Sequence, residues 1–217
     1  MRLSYWTPRY IKNRIALLCH EKVNPDHPWL TRSAIEILNS FLTQSDIGLE
    51  FGSGRSTIWF AKRIAHLTCV EHDDNWAASV REMLNKANIK NVDYHFLPKD
   101  MEEDKGNDSK YVRVIDKFDS DSLDFCLVDG VYREFCARKV IEKLRPGGIL
   151  VIDNVNWYLP SFSYSPSSRS FTDGPKGLVW IEVEQLLSGW RRIWTSNGVS
   201  DTAFFFKPYN QDTKHMA

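Results

Sequence analysis

No stretch of this 217-residue chain approaches the ~20 consecutive apolar residues that a membrane-spanning helix needs. Its start, Tyr5-Trp6-Thr7-Pro8-Arg9-Tyr10, lacks the apolar core and small-residue cleavage site of a secretory signal. Net charge is absent as well. The 28 Lys and Arg residues balance 28 Asp and Glu, so no global field draws the protein to nucleic acid, which argues against a DNA or RNA partner. The four cysteines, Cys19, Cys69, Cys126 and Cys136, show no Cys-x-x-Cys spacing. Cys69 and Cys126 fall in strand-like apolar runs, so the thiols read as reduced and structural, in a cytoplasmic setting. No internal repeat is visible. The length fits one domain large enough to bury most of its apolar surface.

One segment departs from this neutrality. Residues 1–22 carry Arg2, Arg9, Lys12, Arg14 and Lys22 against Glu21 alone, accompanied by Tyr5, Trp6, Tyr10, Ile11, Ile15 and Leu18. Such a helix either packs its apolar side on the body of the protein, which is the expectation here, or makes a weak peripheral contact with anionic lipid. The organisation read from the chain is a basic helical extension over 1–28, one main domain over 29–207 and a polar tail over 208–217.

The most informative stretch is Leu49-Glu50-Phe51-Gly52-Ser53-Gly54-Arg55-Ser56-Thr57. It lies between a strand-like run and a helix-like run. Closely spaced glycines there let backbone approach a ligand, with helix N–H groups free to bind it. A second apolar run, Leu67-Thr68-Cys69-Val70, ends in Glu71. An acidic side chain at the tip of the neighbouring strand can accept hydrogen bonds from both ribose hydroxyls of a nucleoside. The pyrophosphate fingerprint wants a third glycine for close helix–strand packing. Here Arg55-Ser56-Thr57 follows instead, and the carboxylate of Glu50 would repel a pyrophosphate while suiting a cationic amino-acid moiety.

With Glu50, Gly52 and Gly54 in register and Ser56 at the third glycine position, the chain resembles the class I S-adenosylmethionine (SAM) dependent methyltransferases. Their first motif is Glu/Asp-x-Gly-x-Gly-x-Gly. The resemblance implies SAM as cofactor, with Glu50, Phe51, Gly52, Ser53, Gly54, Ser56, Thr57, Glu71, His72 and Asp129 around it. It also implies a lid near Trp29.

Elements alternate along the chain. A helix is expected over Thr31 to Leu42 with Thr31 as its N-cap, then a strand over Ile47 to Phe51 and a helix over Ser56 to Ile64. A strand ending at Glu71 is followed by a helix capped by Asp73 or Asp74, and Val92 to Leu97 reads as a strand. Residues 99–121 are polar and read as a long mobile connection. Leu123 to Val128 is an apolar strand expected to be covered on both faces. A helix over Tyr132 to Leu144 and a strand over Ile149 to Ile152 follow. The tail holds a helix over Leu178 to Leu187 and two strands, Trp190 to Thr195 and Thr202 to Phe206, joined around Asn197-Gly198. The expected fold is α/β: a doubly wound parallel sheet with helices on both faces. The resemblance makes that sheet seven-stranded with one antiparallel strand.

Chemistry is expected at the carboxyl ends of the strands. Asp129 ends the fourth strand and Asp153 the fifth, with Asn154 beside it. Oxygen ligands of this kind suit Mg²⁺, and the trio is similar to the metal site of catechol-type O-methyltransferases, where the ion lowers the pKa of substrate hydroxyls. That subfamily carries a lysine base three residues after the first metal Asp, whereas this chain has Tyr132, followed by Arg133. Without metal, Asp129 or Asp153 would serve as general base, with Tyr132 as a further catalytic candidate. Aromatic and serine residues of Trp157 to Phe171 fit a small-molecule or glycan-like acceptor, or a packed surface loop. The reading is a SAM-dependent O-methyltransferase. Its alternatives are an aminopropyltransferase-like enzyme on the same fold and a non-catalytic SAM-binding scaffold.

Overall fold

The computed structural model describes residues 6–209. Seven strands form one sheet in the order β3-β2-β1-β4-β5-β7-β6. They are β1 Ile47–Phe51, β2 His66–Glu71, β3 Val92–Phe96, β4 Leu123–Val128, β5 Leu144–Asp153, β6 Arg191–Ser196 and β7 Asp201–Phe206. Neighbours from β3 to β5 pair in parallel, whereas β7 runs antiparallel to both β5 and β6, so β7 is the reversed strand. The helices are α1 Pro8–Val23, α2 Arg32–Phe41, α3 Arg55–Ala61, α4 Asp74–Lys86, α5 Lys110–Arg113, α6 Arg133–Val140 and α7 Gly177–Leu187.

Alternation along each strand divides the core in two. Leu49, Phe51, Val128 and Ile152 pack with Tyr111, Phe135, Val140, Trp180 and Val183 of α5, α6 and α7. Phe125, Leu127, Val151 and Phe204 pack with Leu38, Phe60 and Ile64 beneath α2 and α3. Each fully buried side chain of this size contributes about 1.5–3 kcal/mol, so both faces of the sheet are fixed by their own clusters. Local caps set the helix starts. Thr31 accepts from Ala34 N at 3.2 Å to open α2, and Asp73 accepts from Trp76 N at 2.8 Å to open α4.

Three expectations need correction. Residues 99–121 are ordered: 103–108 and 114–117 form 3₁₀ turns around α5, and Tyr111, Val112 and Ile115 are completely buried. The charged neighbours mask a short apolar set that caps one end of the core. Second, α6 stops at Val140 and β5 begins at Leu144, and a register shift between the Leu123 and Phe125 pairings accommodates the Pro146-Gly147-Gly148 segment within β5. Third, α1 does not bury its apolar side. Only Tyr10 is buried, while Ile11, Ile15 and Leu18 are exposed. Among the described residues no helix is long and apolar enough to cross a membrane.

Candidate active site

The loop after β1 is built on a buried carboxylate. Glu50 faces the α3 side of the sheet and is completely buried. Its Oε2 accepts from the Thr57 hydroxyl at 2.7 Å, and the Thr57 oxygen in turn accepts from Gly54 N at 3.0 Å. The same Oε2 accepts from Cys69 Sγ at 3.1 Å, and Oε1 has no hydrogen-bond partner among the described residues. Burial raises the Glu50 pKa to about 7 against the hydrogen bonds that favour its charge. Glu50 does not line the cleft above, so the expectation that it meets the cofactor's cationic end is corrected. It shapes the glycine loop through Thr57. Thr57 is fully enclosed, Ser56 nearly so, and the Phe51 ring belongs to the core.

Glu50 gives a pH-dependent expectation. Below pH 4.5 the group is protonated in both folded and unfolded chains. Between pH 4.5 and about 7 only the unfolded chain ionises, so stability is lost as pH rises and the loss levels off above the folded pKa. The cost saturates at about 3 kcal/mol. Glu50→Gln should therefore raise the melting temperature at pH 8 and lose that advantage at pH 4.5. A difference that does not change with pH would contradict the assignment.

Gly52 adopts φ +94°, and a Cβ there would meet Gly130 N at 2.7 Å. Backbone contact between the β1 and β4 loops therefore demands glycine. Gly54 differs. Its Cβ would meet only Trp76 side-chain atoms at 3.7 Å and beyond and Ser56 Oγ at 3.9 Å.

Across the loop, Glu71 ends β2. Its Oε2 accepts from Ser53 N at 2.9 Å and Ser53 Oγ at 2.7 Å, while Oε1 accepts from the backbone N of His72 at 2.7 Å and of Asp73 at 2.9 Å. Burial opposes its ionisation, yet the donors of His72, Asp73 and Ser53 bring its pKa down to about 2. His72 Nδ1 lies 2.9 Å from the same carboxylate. Ser53, Glu71, His72, Gly52, Asp129 and Gly130 line a cleft of about 540 Å³ together with Trp29 and Trp76. Trp29 stacks on Trp76 at 5.8 Å between ring centroids, and Trp76 Nε1 donates to Ser53 O at 2.7 Å. Trp76 reads from sequence as one more apolar helix residue, and nothing in its spacing separates it from the core face of α4.

At the tips of β4 and β5 a guanidinium occupies the centre. Arg133 Nη2 donates to Asp129 Oδ1 at 2.8 Å and Asp129 O at 2.7 Å, and Nε donates to Gly130 O at 2.9 Å. Nη1 donates to Asp153 O at 2.6 Å and Asn154 Oδ1 at 3.3 Å. The Asp153 carboxylate turns elsewhere, accepting from the Thr202 hydroxyl at 2.6 Å inside the protein. Thr202 Oγ1 also accepts from Thr31 N at 3.4 Å, which ties β5 to the segment carrying Trp29. Burial raises the pKa of both Asp129 and Asp153. Arg133 opposes the rise at Asp129, and the nearby Asp129 charge adds to it at Asp153.

Asp129, Asp153 and Asn154 do not fit a divalent ion. One carboxylate points away and a fixed cation stands between the other two oxygens. Among the described residues no group of three or more His, Cys, Asp or Glu side chains is arranged to hold a metal. Tyr132 is corrected too. It is buried, with φ +51° at the start of α6, and its hydroxyl donates to Met101 O and accepts from Met101 N at 3.1 Å. No phenol faces the cleft from that position. The residue beside it, Arg133, is the one bonded to both strand tips. Its sequence signal was a cation four residues after the strand-end Asp, near the place of the family lysine.

A second cavity of about 640 Å³ adjoins the cleft and shares Trp29 with it. Tyr10, Arg14 and Glu21 of α1 line it with Asn154, Trp157 and Asn197. The 160–171 loop is held beside it. Ser165 donates to Asp201 Oδ1 at 2.6 Å, and Asn156 Nδ2 donates to Pro166 O at 3.1 Å.

An open α/β sheet with a ligand cleft over the carboxyl ends of its central strands is the architecture of a nucleoside-cofactor enzyme. A family model described as a methyltransferase domain matches residues 49–155, the span from β1 through the end of β5. Residues 49–155 are thus similar to a methyltransferase domain, and the chain has the fold of the class I SAM-dependent methyltransferases. Solved structures share the fold. A candidate methyltransferase from Streptococcus mutans in complex with SAH is 14% identical, with a TM-score of 0.57 over 83% of this chain and 99% of that one. A methyltransferase-like protein from Silicibacter pomeroyi is 20% identical, with a TM-score of 0.57 over 84% and 89%. A methyltransferase from Geobacter sulfurreducens is 12% identical, with a TM-score of 0.55 over 91% and 90%. No curated protein matches the chain.

Proposed function

We propose that the enzyme transfers the SAM methyl group to a hydroxyl oxygen of a small-molecule or glycan-like acceptor, without a metal ion. The observation that carries this reading is the meeting of two cavities at Trp29, with Asp129 on the cofactor side, Asn154 on the other and Arg133 bonded to both. The cofactor lies over Gly52 to Gly54, and a ribose hydroxyl takes the place of the Ser53 hydroxyl on Glu71. The acceptor occupies the cavity lined by Tyr10, Trp29 and Trp157, whose aromatic faces and neighbouring amides suit a sugar or phenol.

In the reaction the acceptor oxygen attacks the methyl carbon in line with the carbon–sulfur bond. That bond breaks, its electrons return to sulfur, and S-adenosylhomocysteine (SAH) leaves. Asp129 takes the hydroxyl proton through the oxygen that Arg133 leaves free. Most of the acceleration comes from holding the two reactants in register. Asp153 acts at one remove, fixing the Trp29 segment through Thr202.

The test is methyl transfer from isotope-labelled SAM to a panel of phenols and sugars, with chelator present throughout and the product read by mass spectrometry. A methyl ether formed at full rate in chelator is expected. Turnover that requires Mg²⁺, or transfer to nitrogen alone, would contradict the proposal. Glu71→Gln is expected to weaken SAM binding by about 1.5–3 kcal/mol, about tenfold to a hundredfold, through loss of a charged acceptor. Calorimetry on the folded variant checks this, and unchanged affinity would remove Glu71 from the cofactor site.

A further inference from the structure

The acceptor cavity does not end the groove. Across the Ser196–Gly198 turn lies a further cavity of about 550 Å³, which shares Asn197 with the first. Its lining includes Arg9 and Arg192 and, among the described residues, no carboxylate. Arg9 lies over the Tyr164 ring, 4.8 Å from the centroid, a stacking that leaves its N–H edge available to an anion. Phe162 and Tyr164 are 87% and 79% exposed, and the Phe162 ring meets Phe171 at 4.8 Å between centroids, tilted by 54°. Aromatic surface held this open costs free energy unless something covers it.

The polar groups beside them are donors. Ser161 Oγ accepts from Ser163 N at 3.2 Å and Ser163 Oγ from Ser165 N at 3.1 Å, which orients both hydroxyls and leaves their protons to give. Aromatic faces, oriented hydroxyl donors and guanidinium groups that pair with no carboxylate among the described residues are together the chemistry of an anionic sugar. Ring C–H faces stack on the aromatics, sugar oxygens accept from the serines, and a carboxylate, sulfate or phosphate pairs with arginine.

We propose that this cavity is a second acceptor subsite for a negatively charged sugar unit, so that the enzyme methylates a hydroxyl of an anionic oligosaccharide extending through both cavities. The proposal rests on the O-methyltransferase reading and adds the charge and length of the acceptor. A nucleic-acid strand is the less favoured occupant, because the chain is electrically neutral and the cationic lining amounts to two arginines rather than a track.

The test is calorimetric titration of the SAH-loaded protein with four probes of matched length: an oligogalacturonate, a heparin-derived tetrasaccharide, neutral maltotetraose and a short RNA. At least one anionic sugar should bind, more weakly as salt is raised. Arg192→Ala and Arg9→Ala together should lower that affinity by about tenfold or more, with SAH affinity unchanged. Equal binding of maltotetraose, tighter binding of RNA, indifference to the arginine changes, or no binding of either anionic sugar would overturn the subsite. Failure to bind SAH at the outset would overturn the cofactor site beneath it, and is distinguishable because SAH is titrated first.

Discussion

Replacing Arg133 with methionine should leave a folded enzyme whose methyl transfer falls by at least an order of magnitude and whose melting temperature drops. The side chain is nearly as long as arginine's stem, but it donates nothing. Asp129 O, Asp129 Oδ1, Gly130 O, Asp153 O and Asn154 Oδ1 all lose a donor at once. Breaking a largely buried ion pair and orphaning its acceptors costs about 3 kcal/mol here, discounted because Asp129 retains some contact with water. For a chain of this size that is a shift of about 6–12 °C. Activity suffers for a second reason. Without the guanidinium the Asp129 carboxyl loses the charge that opposes its raised pKa, so less of it is ionised and able to accept a proton. Arg133→Lys should restore part of the melting temperature and little of the geometry, since an ammonium cannot span both strand tips. A methionine variant with full activity and an unshifted pH profile would remove Arg133 from the account.

Gly54→Val should abolish SAM binding while leaving the fold intact. A Cβ at Gly54 projects toward Trp76 and meets it only at ordinary van der Waals distance. The clash expected is therefore with the cofactor. Gly52→Ala is the contrasting case. Its Cβ would strike Gly130 backbone at 2.7 Å with φ at +94°, so the loop itself must move and stability falls along with binding. Thermal melts and SAM titrations on the two variants separate these effects. A Gly54→Val protein that binds SAM normally would mean that the loop merely connects β1 to α3.

Much of the fold was legible because local signals agreed with the final packing. β1 and β4 span the expected residues, since each is a short apolar run bounded by turn chemistry. Thr31 and Asp73 cap the helices their hydroxyl and carboxylate suggest. The family resemblance implies one reversed strand in the terminal pair around Asn197-Gly198, and the sheet shows that it is β7. The failures share a cause, which is that a side chain's partners come from remote parts of the chain. Tyr111 and Ile115 look like strays in a polar stretch until the sheet offers them a face. Glu50 looks like a ligand contact until Thr57 and Cys69 enclose it. Asp153 and Asn154 look like metal ligands until Thr202, from β7, and Arg133 claim their oxygens. Spacing shows which residues reach a strand tip, and only the assembled sheet shows which way each one faces there.

The central claim is that the cleft over β1, β2 and β4 holds SAM, with its ribose on Glu71. Calorimetric titration of the wild-type chain with SAM, SAH, decarboxylated SAM and NAD tests it most directly. SAM and SAH should bind with similar affinity and with one site per chain, decarboxylated SAM more weakly, and NAD not at all. Binding of NAD or a preference for decarboxylated SAM would contradict it, since either result would assign the glycine loop and Glu71 to a different cofactor.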